Sequence, residues 1–241
     1  RNLGFKVVIV HGGGPAINTE LTRRGITWNF VGGQRVTTPE MMDVIESTLC
    51  GLVNRRLVRL LGAQNLPVVG FSGADHQTLI CTPASSELGL VGNIQLVDAH
   101  WIEQLLNLPS PVIPVIAPLG VGATGECYNI NADWSASHLA VALKADQLLF
   151  ITDQTGIMDE EGEIISAVDA DGLQNMIDCK VVSGGMLTKT RAVLHALKSG
   201  IGTVRIMNAA ASMADVPHGT LGTSCFLQPA RLRTESAHVA I

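Results

Sequence analysis

The sequence predicts an α/β fold, a three-layer αβα sandwich with a mainly parallel central sheet. Three observations predict it. Short apolar runs such as Val7-Val8-Ile9-Val10 and Leu148 to Thr152 alternate with longer stretches of helical periodicity. Polar or glycine-rich turns follow those runs, which is where parallel sheets place ligands. Of 241 residues, 46% are hydrophobic, but only 15% are charged and 4% aromatic. That aliphatic mix suits strands buried on both faces.

The elements follow in chain order. Val7 to Val10 reads as a buried strand, His11-Gly12-Gly13-Gly14 as a turn, and Pro15 as a first helical residue. That helix should run to Gly25. Pro39 to about Gly62 reads as one longer helix, with Met42, Ile45, Leu49, Leu52 and Val53 on one stripe. Leu66 to Gly70 is a short strand, and 71 to 97 has the chemistry of hairpins and loops. Asp98 caps a helix through Leu106. Val112 to Ala117 is a strand, and Pro114 within it argues for a sheet edge or a bulge. Asn131 to Lys144, Asp169 to Ile177 and Met186 to Ser199 read as helices, with strands at Leu148 to Thr152, Thr203 to Met207 and Thr223 to Leu227. From Gln228 onward the chain is polar and should be loosely packed.

Several function classes are disfavoured by composition. The net charge of -5 comes without any dense Lys/Arg block, so no nucleic-acid partner is expected. There is no run of about 18 uncharged apolar residues, so no membrane span is expected. The five cysteines, at 50, 81, 127, 179 and 225, are odd in number and form no C-x-x-C pair. They read as buried free thiols in a reducing cytoplasm. The seven histidines show no ligand spacing, so no protein metal site is expected.

Four motifs carry chemistry. Three glycines at 12–14 let a ligand approach the backbone, and the helix that follows adds a partial positive charge. The bland alternative is a tight turn alone. Asn129-Ile130-Asn131-Ala132-Asp133 stands at a helix entrance. Capping accounts for Asn131 and Asp133 but leaves Asn129 unexplained. Thr152-Asp153-Gln154-Thr155-Gly156-Ile157 follows a strand and is either a ligand loop or an ordinary turn. Ser183-Gly184-Gly185 opens a helix with Lys189 on an early turn, where the dipole disfavours a cation. A bound phosphate would explain that lysine; a solvated lysine is the plain alternative. Gly120 to Gly125 matches G-x-G-x-x-G, but no helix follows at once, so a hairpin is preferred to a dinucleotide loop. No P-loop pattern exists.

Taken together these motifs resemble the amino-acid kinase family. The match rests on V-I-V-H-G-G-G at 8–14, G-x-R-V-T at 33–37, E-L-G-x-V-G at 87–92, N-I-N-A-D at 129–133, T-D-x-T-G-I at 152–157, G-G-M-x-x-K at 184–189 and G-T at 222–223. The resemblance implies ATP-dependent phosphorylation of the γ-carboxylate of N-acetyl-L-glutamate in arginine biosynthesis. Its alternatives are a kinase for a related acyl amino acid such as N-acetyl-aminoadipate, or a non-catalytic kinase-like sensor. It also implies an N-lobe over about 1–145 for the acyl amino acid and dimerisation, and a C-lobe over about 146–241 for the nucleotide.

Residue roles follow from the same resemblance. Gly13 and Gly14 would offer N–H groups to the substrate carboxyl or the phosphoryl bridge. Arg35 would clamp the α-carboxylate, and Asn129 would bind the acyl amino acid. Asp133 would orient the catalytic lysines, and Lys189 would neutralise the transferring phosphoryl. Asp153, Gln154, Thr155, Gly156, Ile157 and Met158, with Val181, Val182 and Ser183, would hold the nucleotide. Mg²⁺ would be held mainly by the phosphates. A cytoplasmic homodimer is implied as well. The family ordinarily begins with a strand ending in Lys-Gly-Gly, which would lie before Arg1, and Lys6 does not take its place. Further sequence before Arg1 is therefore expected.

Overall fold

The computed structural model describes residues 4–159, 161–209 and 222–227; the expected polar tail lies outside them. The chain divides into two compact units, Arg1–Lys144 and Ala145–Ile241.

In the first unit, three parallel strands run in the order β1 (Ile9–Val10), β7 (Ile113–Ala117), β4 (Val68–Ser72). Successive residues of β7 face opposite sides. Ile116 joins a core with Ile102 and Leu106 of α4 (His100–Leu106) and Leu139 of α5 (Ala132–Ala142). Ala117 joins another with Ile17 and Leu21 of α1 (Gly14–Arg23) and Met42 and Ile45 of α2 (Pro39–Glu46). Helices therefore cover both faces of this sheet. A second sheet has the order β6 (Gly92–Val97), β5 (Leu79–Pro83), β8 (Leu119–Val121), β9 (Cys127–Asn129), with antiparallel β5–β6 and β8–β9 pairs. The glycine-rich segment 120–125 is the β8–β9 connection, a hairpin as expected.

Three local expectations are corrected. The first strand spans only two paired residues, and among the described residues β7 alone pairs with it. Pro114 lies in the central strand, not at an edge. The Ile113 N–H donates to Pro67 O, so the next nitrogen faces the β1 side. Pairing there starts only at Ile9↔Val115, and the missing donor costs no ladder bond. The helix expected to reach Gly25 ends at Arg23, and Gly25 follows in the left-handed region with φ +70°.

The helix from Pro39 is continuous to Gly62, but its middle widens. α2 passes into a π-helical stretch, Ser47–Asn54, and then into α3 (Arg55–Gly62). No element was expected between residues 26 and 38, yet β2 (Phe30–Val31) and β3 (Gln34–Arg35) form a hairpin. Gly32 and Gly33 both take positive φ, 58° and 81°, as a two-residue hairpin turn requires.

The second unit carries a mixed sheet in the order β10 (Gln147–Thr152), β12 (Thr203–Asn208), β13 (Thr223–Phe226), β11 (Ala167–Asp169). The β10–β12 and β11–β13 pairs are parallel, and β12–β13 is antiparallel. Helices α6 (Ala170–Asp178) and α7 (Gly184–Lys198) bury Leu173, Ala192, Val193, Ala196 and Leu197. Among the described residues no helix is long and apolar enough to cross a membrane. All five cysteines are free, but Cys179 is exposed and Cys50 and Cys127 are half-buried, so only Cys81 and Cys225 meet the buried expectation.

Candidate functional site

In the first unit a cavity of about 350 Å³ is lined by Gly12, Gly13, Gly14, Asn18, Phe30, Arg35, Asn129 and Asn131, among others. The glycine turn after β1 feeds the N-terminus of α1, whose first N–H groups have no intrahelical acceptor. A side chain at Gly13 would place a Cβ 2.4 Å from Leu49 Cδ2, so the turn packs directly on the widened helix.

Among the described residues Arg35 is the one cation lining the cavity, and it is only 7% exposed. Its Nη2 donates to Asn18 Oδ1 at 2.6 Å. The guanidinium carbon lies 4.7 Å from the Phe30 ring centroid and 5.7 Å from that of Trp28. Nη1 is buried without a hydrogen-bond partner, and Arg35 has no ion pair among the described residues. Burial lowers its pKa from the ordinary value. A buried cation with no counter-ion is costly, and an incoming carboxylate would offset that cost.

Thr37, 0% exposed, organises this wall. Its hydroxyl donates to Arg35 O at 2.9 Å and accepts from Asn129 Nδ2 at 3.1 Å. Its backbone exchanges bonds with the 88–90 segment: Thr37 N–H donates to Leu88 O and Leu90 N–H to Thr37 O. One hydroxyl thus ties the β3 arginine to the β9 asparagine. Asn131 caps α5, accepting from the N–H groups of Asp133 and Trp134 at 2.9 and 3.2 Å. Asp133 stands in the first turn of α5 and does not line the cavity.

Beneath the glycine turn lies a buried polar network. Asn54, 0% exposed, ends the π-helical stretch, and its Nδ2 donates to Val115 O at 2.8 Å. The same amide lies 3.1 Å from His11 Nε2, while His11 Nδ1 lies 3.0 Å from Gly12 O. The amide can only donate to Nε2, which assigns the proton to Nδ1 and a neutral ring. Burial lowers the His11 pKa, against a smaller upward push from the Gly12 carbonyl.

The second unit gathers the other expected residues. Asp153, Gln154 and Thr155 are exposed after β10, Gly156 and Ile157 turn inward, and Met158 is exposed again. Asn208 Nδ2 donates to Asp153 O at 2.8 Å, and the Ile157 N–H donates to Thr223 Oγ1 at 2.8 Å. Val181 and Val182 precede α7, both donating to Met176 O. Ser183 is the N-cap of α7 but makes no side-chain cap bond. Lys189, half-buried on the second turn, holds its Nζ 4.9 Å from the centroid of Phe150, a β10 residue. That contact brings the early turns of α7 to β10. Gly13, Gly14, Arg35 and Asn129 therefore share one cavity in the first unit, and Lys189 and both segments expected to hold the nucleotide belong to the second.

Sequence reasoning missed Asn18, Phe30, Thr37, the His11–Asn54 pair and the Thr223 bond. Asn18 stands four residues after Gly14, on the same helical face, and that spacing was a usable signal. Gly32-Gly33 was a hairpin signal for Phe30 and Arg35. His11, Thr37 and Thr223 lie within the motifs at 8–14, 33–37 and 222–223, but nothing local announces the bonds they make, and Asn54 has no local signature.

The amino acid kinase family model matches residues 1–208. An acetylglutamate kinase of Bacillus cereus (strain ATCC 10987) is 41% identical over 220 residues, 91% of this chain and 85% of the relative. One from Jannaschia sp. (strain CCS1) is 42% identical over 201 residues, 83% of this chain and 70% of the relative. Among solved structures, a protein of Streptococcus mutans UA159 shares the fold with TM-score 0.84 and 27% identity, covering 94% of this chain and 88% of that one. N-acetylglutamate synthase from Neisseria gonorrhoeae reaches TM-score 0.82 at 22% identity, over 94% of this chain and 53% of that one, a likeness of fold alone. On the family match and these two relatives, the chain belongs to the amino acid kinase family.

Proposed function

We propose that this chain transfers the γ-phosphoryl group of ATP to the γ-carboxylate of N-acetyl-L-glutamate, a step of arginine biosynthesis. The observation that carries the reading is Arg35, a buried cation without an ion pair among the described residues, in the wall of a glycine-lined cavity. The relatives at about two-fifths identity, named acetylglutamate kinases, support the same substrate. Arg35 takes the α-carboxylate, for which a planar guanidinium is suited. Asn129 takes the acylated amino group. The N–H groups of Gly13 and Gly14, at the positive end of α1, take the γ-carboxylate. The cavity's volume of about 350 Å³ suits a metabolite of this size.

The reaction asks little of acid–base chemistry. A γ-carboxylate is already ionised at neutral pH, so no general base is needed. The barrier comes from bringing that anion to a triphosphate. Positioning and positive charge lower it. In the second unit, the uncapped N-terminus of α7 with Gly184 and Gly185 is suited to phosphate, and Lys189 supplies charge. The loop 153–158 and residues 181–183 hold the nucleotide. Among the described residues no cluster of His, Cys, Asp or Glu is placed to hold a metal. Mg²⁺ would be held mainly by the ATP phosphates, its common mode of binding. A cytoplasmic homodimer completes the proposal.

The test is ATP-dependent acyl phosphate formation, trapped as a hydroxamate, in the polypeptide as the cell makes it. N-acetyl-L-glutamate should turn over, N-acetyl-L-aminoadipate slowly and L-glutamate least. No turnover of N-acetyl-L-glutamate, or a preference for either competitor, would overturn the assignment.

A further inference from the structure

The G-T pair at 222–223 has no part in the chemistry described so far, yet its threonine is 0% exposed. Thr223 begins β13 and pairs with Ile206 of β12. Its Oγ1 accepts the Ile157 N–H at 2.8 Å, across 66 positions of sequence. The space around this bond is closed. A Cβ on Gly156 would lie 2.7 Å from Thr223 Oγ1. One on Gly222 would lie 2.1 Å from Ile206 O, and Gly222 has φ +75°. Glycine is thus required on both sides of the contact.

The contact falls at one particular place in the loop. Residues 153–155 are exposed, and the chain turns inward only at Gly156 and Ile157 before Met158 returns to the surface. Asn208 fixes the start of the loop through Asp153 O, and Ile165 N–H fixes its return through Ile157 O. Thr223 holds the midpoint. An unpaired amide there would be buried, so removing the acceptor should push the loop outward instead of leaving it in place.

We propose that Thr223 is a positioning residue for nucleotide binding, its buried hydroxyl setting the shape of the 153–158 loop. The inference rests on the reading of that loop as the nucleotide segment. It concerns nucleotide affinity alone, because the bonds described for Thr223 end on that loop and on β12.

Three variants test it: Thr223→Ser, which keeps the oxygen, Thr223→Val, which replaces it by a methyl group, and Thr223→Ala, which removes it without adding bulk. Affinity for a fluorescent ATP analogue is measured by titration, and both KM values by steady-state kinetics. Serine should stay near wild type. Valine and alanine should weaken the analogue and raise the ATP KM about tenfold, with the KM for N-acetyl-L-glutamate unchanged. Alanine decides the matter if valine prevents folding. Wild-type nucleotide affinity in folded valine and alanine variants would overturn the proposal. So would equal loss in both KM values, the mark of a merely structural role. If the wild-type protein bound no nucleotide at all, the underlying reading would fall and the proposal with it.

Discussion

In the first unit the Arg35 carbonyl and the Asn129 amide meet on the hydroxyl of Thr37. In the second the Ile157 amide ends on the hydroxyl of Thr223. Both threonines are fully buried, and each joins segments far apart in sequence. The difference lies in what surrounds them. Thr37 stands behind a cavity whose cation is already packed between aromatic rings and an asparagine. Thr223 stands behind a loop whose residues 153–155 remain exposed. One unit offers a nearly preformed pocket. The other offers a surface loop pinned at a few points. Such a contrast suits the proposal that a small acyl amino acid binds the first unit and a larger nucleotide the second.

The strongest way to break the comparison is to remove the charge assigned to the second unit. Lys189→Met keeps most of the side-chain volume. If Lys189 stabilises the transferring phosphoryl, kcat should fall about 100-fold or more, since one such donor is worth about 2.7–4 kcal/mol. The melting temperature should change little. Near-normal kcat would refute that role for Lys189.

Arg35→Lys attacks the first unit. Loss of the planar fork should cost about 1.5–3 kcal/mol and raise the KM for N-acetyl-L-glutamate roughly 10–150-fold. The ATP KM should hold. An unchanged substrate KM would remove Arg35 from the site.

Thr37→Val sharpens the comparison with Thr223. It removes the acceptor for Asn129 and the donor for Arg35 O, and should raise the KM for the acyl amino acid roughly fivefold, about 1 kcal/mol. The ATP KM should stay fixed, the reverse of the Thr223 result. Matching shifts in both KM values would erase the distinction between the units.

The smallest effect concerns pH. Burial holds the His11 pKa below its ordinary 6.5, so the unfolded chain binds that proton more tightly. The contribution of His11 to stability is fully present above 6.5 and is lost as pH falls from there toward the depressed value. Urea midpoints on either side of that window, for wild type and His11→Gln, should show a shallower acid loss in the variant. Equal slopes would mean that His11 does not titrate differently on folding.

Local chemistry made much of this legible. Asn131 caps its helix as its residue type and position predict, and the glycine turn at 12–14 opens α1. The hairpin at 120–125 was separable from a dinucleotide loop because no helix follows it directly. What escaped depends on distance along the chain. Asn129 and Thr37 are 92 positions apart, and nothing near either residue announces the bond. Pro114 misled for a related reason. Whether a missing donor matters depends on where a neighbouring strand begins, and β1 begins one residue later. The widening of the 39–62 helix delivers Asn54 to His11 and turns Leu52 out to 49% exposure. Leu52 is expected on the apolar stripe only because that stripe is read at the regular period of about 3.6 residues.

The division of labour between the units can be watched directly by ¹⁵N–¹H NMR of the Arg35 guanidinium, the Asn129 side-chain amide and the Ile157 backbone amide. N-acetyl-L-glutamate should shift the Arg35 and Asn129 signals saturably and leave Ile157 in place. A non-hydrolysable ATP analogue should shift Ile157 and leave Arg35 and Asn129 in place. An acyl amino acid that moves Ile157 while Arg35 stays fixed would contradict the account.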